Sequence, residues 1–256
     1  MRFKSLGSGS TGNATLVQTT GPVACNLLVD CGFGIKQLQA KLETAGVQPQ
    51  DISAIFITHE HGDHTGCVGA LSARYSIPVW MSAGTRAGIR FNGSADLLNL
   101  AMDGQTIDLG QLQITPFTVP HDARAPLQLT CTDGHAKLGI LTDLGHATDH
   151  VLNHLQGSHA LVLECNHDTD MLNASSYPGF LKQRVGGDHG HLSNEQAAGI
   201  ARAVQQGNLR QVVAAHLSQQ NNRPLLARQA LANALSCRIE EIVVATANEG
   251  CSWLAV

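Results

Sequence analysis

The sequence is short of charge, of aromatic rings and of any pattern that would staple or anchor it. Lys and Arg number 16 against 20 Asp and Glu, a formal charge of −4. That balance excludes a broadly basic nucleic-acid surface, although not a local one. No C-x-x-C pair occurs among the seven cysteines, at 25, 31, 67, 131, 165, 237 and 251. An odd number without paired spacing excludes a disulfide framework and a cysteine-type zinc site. Most stand in apolar contexts such as Leu163-Glu164-Cys165 and read as reduced core residues. No apolar run is long enough to span a bilayer and no signal-peptide core opens the chain, so a cytoplasmic protein without a membrane partner is expected. Nor is there a linker, a low-complexity tract or a clear internal repeat. With 256 residues, 43% of them hydrophobic, the chain has ample material for a core, and a single domain over 1–256 is expected.

Histidine, by contrast, is plentiful: 13 against two tryptophans and two tyrosines. Three of them fall in Ile55-Phe56-Ile57-Thr58-His59-Glu60-His61-Gly62-Asp63-His64. Residues 54–58 are rich in β-branched and aromatic side chains, the pattern of a strand buried on both faces. An apolar strand that delivers imidazoles and a carboxylate this densely points to a metal site, because both groups suit borderline divalent ions. Gly62 lets the loop fold tightly.

The same arrangement recurs downstream. Strands expected at 112–119, 137–141 and 211–215 end at His121, Asp143 and His216. Strand ends on one edge of a sheet converge, so seven ligands divide into two sets. His59, His61 and His121 would hold one ion, Asp63, His64 and His216 another, and Asp143 would bridge them. Asp30 ends a further buried strand, 26–29; it either orients a ligand histidine or caps the next turn.

Elsewhere the pattern is plainer. Ser5 to Asn13 reads as a Gly/Ser loop, either presenting amides to an anion or forming a hairpin. Segment 84–104, rich in Gly, Asn and Asp, offers no candidate chemistry, and segment 169–190 reads as irregular. His146, His150 and His154 share a helical face, which reads as solvated because no carboxylate completes the set at matching spacing. Ser193 and Gln196 form a capping box opening a helix to about 206, stopping at Gly207. That helix N-terminus is expected to depress the pKa of His191. Strands alternate with helices throughout, which indicates a layered α/β protein.

The H-x-H-x-D-H motif, followed by His121, by Asp143 22 residues on and by His216 after 73 more, resembles the metallo-β-lactamase fold superfamily over essentially the whole chain. The resemblance implies a four-layer αββα sandwich of two mixed sheets with helices outside. It also implies a hydrolase using two divalent ions, Zn²⁺ or Mn²⁺, and a metal-bridging hydroxide. His61 replaces the glutamate of the redox flavodiiron branch, and Asp143 is the phosphodiesterase-type bridging residue. Four stretches resemble the YycJ (WalJ) group of 5′→3′ exonucleases: Ser8 to Asn13, Glu164 to Asp168, Gly190 to Asn194, and His216-Leu217-Ser218 with Asn221, Asn222 and Pro224. On that likeness Asp63 and His191 are the candidate catalytic pair. His167, Lys182, Arg184, Ser218, Asn221 and Asn222 are candidate substrate-binding residues. The expected partner is nucleic acid, DNA ahead of RNA. The alternative is a small molecule, either a thioester or lactone or a cyclic phosphodiester, since PhnP-type phosphodiesterases share Gly-His-x-x-Asn.

Overall fold

The computed structural model describes residues 1–21, 24–205 and 208–256. The first half of the chain supplies β1 (Arg2–Gly7), β2 (Ala14–Gln18), β3 (Asn26–Val29), β4 (Ala54–Ile57), β5 (Val79–Met81) and β6 (Leu98–Leu100). The second supplies β7 (Ile107–Asp108), β8 (Gln113–Thr118), β9 (Leu127–Thr132), β10 (Lys137–Leu141), β11 (Ala160–Glu164), β12 (Gln211–Ala215) and β13 (Val243–Val244). A last strand, β14 (Leu254–Ala255), returns to pair with β1. The first six strands with β14 form one seven-stranded sheet, in the order β14-β1-β2-β3-β4-β5-β6, and the rest form the other, in the order β13-β12-β11-β10-β9-β8-β7.

The interleaving helices are α1 (Ile35–Thr44), α2 (Gly62–Thr65), α3 (Val68–Tyr75) and α4 (Ala83–Gly88) beside the first sheet. Beside the second lie α5 (Asp149–Leu155), α6 (Thr169–Ala174), α7 (Gly179–Val185), α8 (Asn194–Val204) and α9 (Pro224–Leu235).

The period-two alternation of each strand explains the layering. In β4, Ala54 and Phe56 enter the layer between the sheets, whereas Ile55 and Ile57 pack with Leu38, Leu42 and Leu71 of α1 and α3. In β11, Ala160 and Val162 face the same inner layer, and Leu161 and Leu163 meet Val151, Ile200 and Leu231 of α5, α8 and α9. Strands apolar on both faces therefore mark the middle of a four-layer αββα sandwich.

Pairing direction decides where the strand ends go. β10, β11, β12 and β13 run parallel, and β8 runs with them because β9 is antiparallel to both β8 and β10. Their C-terminal ends share one edge. The end of β4 joins that edge from the other sheet, where Thr58 C=O accepts the Leu127 amide at 2.9 Å.

Three sequence expectations are corrected. Ser5-Leu6-Gly7 belongs to β1, a strand whose Gly/Ser composition hid it. Segment 169–190 contains α6 and α7, too short for a period; Asp168 caps α6 by accepting the Met171 amide at 2.9 Å. The strands that the sequence pattern places near 241–246 and 251–255 shrink to two residues each, β13 and β14. The Ser193/Gln196 capping box is present, and the expected helix stop at 206–207 lies outside the described residues.

Candidate metal centre

Two triads of ligand atoms meet at the shared edge: His59, His61 and His121, and Asp63, His64 and His216, each within 4.8 Å. The first is tight, with His59 Nε2 3.0 Å and His121 Nε2 3.4 Å from His61 Nδ1. In the second, Asp63 Oδ2 lies 3.4 Å from His64 Nε2 and 3.6 Å from His216 Nε2. Asp143 stands between the triads, 3.2 Å from His64 Nε2 and 4.0 Å from His121 Nε2.

The outer nitrogens of three of these rings meet oxygen. His64 Nδ1 meets Asp30 Oδ2 at 2.8 Å, His121 Nδ1 meets the Gly190 carbonyl at 3.0 Å, and His216 Nδ1 meets the Thr142 carbonyl at 2.9 Å. Those partners assign the ring proton to Nδ1, so each Nε2 turns a lone pair inward. Buried inward atoms are left without partners, namely His216 Nε2 and Asp143 Oδ2. Converging lone pairs and an orphaned carboxylate oxygen fit a divalent cation and little else.

The loop carrying these ligands is clamped from two sides. Asn13 N–H and Cys31 N–H donate to the Asp63 and His64 carbonyls at 2.8 and 2.7 Å. Gly32 approaches so closely that a Cβ would collide with the Asp63 carbonyl. Asp30 resolves toward the ligand-orienting role: its φ of 64° aims the carboxylate at His64 while Thr58 N–H donates to it at 2.9 Å. The Gly/Ser loop is the β1–β2 hairpin, and it braces the site. Asn13 Nδ2 reaches Asp63 Oδ2 at 3.2 Å, and Ser8 Oγ accepts the His216 amide at 2.9 Å.

One residue of the site stands outside the seven candidate ligands. Glu164 ends β11, is fully buried, and accepts from the Leu144 and Leu192 amides, both at 3.1 Å. Its other oxygen lies 2.8 Å from His191 Nδ1 and 3.0 Å from His216 Nδ1. A carboxylate inside an otherwise apolar strand was the available signal, since such a charge must be paired. It also reverses the expectation for His191. Burial pulls that pKa down, but Glu164 holds it above the ordinary imidazole value.

Burial would lower His64, yet Asp143 and Asp30 push it up to about 10, and His216 also lies well above its usual value against burial, through Asp143. Burial and the neighbouring His64 push His59 well below.

A family model described as the Beta-lactamase superfamily domain matches residues 25–217. The exodeoxyribonuclease YycJ of Bacillus anthracis is 34% identical over 92% of this chain and 89% of its own length. This chain belongs to the metallo-β-lactamase superfamily. It is a metal-dependent hydrolase. The exodeoxyribonuclease WalJ of Streptococcus pneumoniae (strain D39) is 32% identical over 92% of this chain and 88% of its own. Among solved structures, the metallo-β-lactamase fold protein YhfI of Bacillus subtilis superposes with a TM-score of 0.74 at 18% identity, covering 99% of both chains.

In this member of the superfamily the expected substrate-binding residues separate into different places. Arg184 lines the metal cavity with Ser10, Asp122, Asn166, Leu181, Val185 and His191. Its Nε is 2.7 Å from Asp122. His167 and Lys182 line a neighbouring cavity between α6, α7 and α8, and Lys182 Nζ donates to the Asn173 carbonyl at 2.6 Å. Ser218 and Asn222 border a third cavity beside Ser8. Asn221 and Asn222 are buried; Asn222 ties the end of β11 to the start of α8 through Cys165 C=O and Asn194, whereas both polar side-chain atoms of Asn221 are without a partner. The histidine stripe does acquire a carboxylate, from outside the helix: Asp103 lies 2.8 Å from His150 Nε2. His150 remains solvated, whereas His154 lies stacked on the Phe117 ring, 5.0 Å between centroids.

Proposed function

We propose that this chain is a dinuclear-metal phosphodiesterase acting as a 5′→3′ exonuclease on DNA. The observation that carries the reading is the convergence of two ligand triads on one carboxylate, Asp143, beside a histidine, His191, whose Nδ1 meets the buried Glu164 carboxylate at 2.8 Å. The exodeoxyribonuclease names of relatives that match over 92% of the chain support the substrate. When bound, two divalent ions supply positive charge to the phosphate and acidify the attacking water. Asp63, steadied by Asn13, orients that water and accepts its proton. Water oxygen joins phosphorus, the bond to the sugar oxygen breaks, and His191 gives the departing oxygen its proton. Arg184 at the rim balances phosphate charge.

A second reading, a small cyclic phosphodiester, is favoured by the formal charge of −4, which offers a long polyanion no broad basic surface. Seven free cysteines among the described residues fit the reducing cytoplasm. The test is turnover of end-labelled duplex DNA, single-stranded DNA and bis(p-nitrophenyl) phosphate with Mn²⁺ or Zn²⁺. Release of nucleotides from the 5′ end is expected. Turnover of the small ester without any cleavage of DNA would overturn the nuclease reading.

A further inference from the structure

Resting on the nuclease reading, we propose that Phe180 is a stacking platform for the nucleobase next to the scissile phosphate. Phe180 is 72% exposed, more than any other large hydrophobic side chain among the described residues. It sits on α7, whose Leu181, Arg184 and Val185 line the metal cavity. Phe180 and Arg184 are four residues apart, so the ring stands one helical turn from the guanidinium on the same face.

Folding does not account for the ring. No residue of α7 is buried, so a phenylalanine there adds nothing to a core and leaves apolar surface in water. The helix is nevertheless held in place. Lys182 Nζ donates to the Asn173 carbonyl, Arg184 pairs with Asp122, and the His191 amide donates to the Val185 carbonyl at 2.8 Å. A fixed helix with a bare ring is a rigid mount.

Cavity size says what the ring meets. Sites that enclose a whole small-molecule ligand run to roughly 300–1,000 Å³, and the metal cavity, at about 240 Å³, falls below that. It has room for a phosphate and the edges of its sugars; a base on that phosphate lies outside, at the rim where α7 runs. Aromatic faces bind bases of any sequence by stacking, and α7 also carries Lys182 and Arg184, the latter paired with Asp122. The occupant is therefore an unpaired base at the end of a nucleic acid strand.

The test compares wild-type protein with Phe180→Ala and Phe180→Trp, on single-stranded oligonucleotides carrying either a normal or an abasic terminal nucleotide. Phe180→Ala should raise KM for the normal strand roughly 5- to 100-fold while kcat holds, and Phe180→Trp should restore it. The abasic end should raise KM in the wild type by a similar factor and add nothing further in Phe180→Ala. Equal KM values for wild type and Phe180→Ala, or additive penalties, would overturn the stacking role while leaving the nuclease intact. A wild type that cleaves bis(p-nitrophenyl) phosphate but no oligonucleotide would instead remove the nuclease reading, and the stacking role with it.

Discussion

At the scale of single residues, the site is governed by what each ligand's far side touches. Asp30, Gly190 C=O and Thr142 C=O fix the imidazoles of His64, His121 and His216 from behind. Glu164 does this for two rings at once, and its effect on His191 can be read out kinetically. A general acid must carry its proton, so activity falls as pH rises through its pKa. Burial lowers the His191 pKa and the Glu164 carboxylate more than offsets it. Glu164→Gln keeps the side chain's shape but removes the charge, so the basic limb of the kcat–pH profile should move to lower pH. A limb that stays in place would show that His191 is not the proton donor. The histidines of the opening motif were legible from sequence because ligands of that kind crowd one short loop. Glu164 was harder to see, because its partners, His191 and His216, lie 27 and 52 residues away.

At the scale of elements, the segment from α7 to the start of α8 joins the candidate ligand set to His191, the proposed proton donor. Gly190 passes so close to the carbonyls of Arg184 and Val185 that a Cβ there would overlap them. Its own carbonyl holds His121 at 3.0 Å, and the next residue is His191. Gly190→Ala must push the chain away from the end of α7, displacing both histidines. We expect a loss of kcat of at least about tenfold, together with weaker metal retention against a chelator, as when the partner behind a ligand histidine is removed. Unchanged metal content and rate would show that α7 moves aside freely. The sequence hid α7 for a physical reason: a seven-residue helix with no buried face has no period to detect. Strands such as β4 and β11, buried on both faces, announced themselves.

At the scale of the whole molecule, both sheets repeat one plan. Each has antiparallel pairings on one side and parallel pairings on the other, β3 matching β10 and β4 matching β11. The sequence carries no clear repeat, but the pairing does. Each half contributes ligands to the common edge, so the ions should act as a clasp between the sheets. The pH dependence of that clasp follows from His64. Burial opposes its charge, but Asp143 and Asp30 raise its pKa from 6.5 to about 10 in the protein without ions. A raised pKa stabilises the fold fully below pH 6.5, and that contribution is lost as pH climbs toward 10. Bound ions take the place of the proton and escape this loss. The difference in Tm between metal-loaded and EDTA-treated protein should therefore widen as pH rises above 6.5. A gap independent of pH would mean that His64 does not exchange a proton for the ion.

The sequence by itself determined the ligand types, the buried strands that deliver them and the family, because those are local properties: residue identity, alternation and close spacing. Tertiary structure decided which candidates share a cavity. Arg184 and His191 face the metal centre, His167 and Lys182 look into a neighbouring cavity, and Asn221 and Asn222 are buried in a loop. It also brought in Glu164 and left Phe180 bare on α7. Those outcomes depend on which strands pair in parallel and which helix crosses the shared edge, and these are long-range facts that no short stretch of sequence contains.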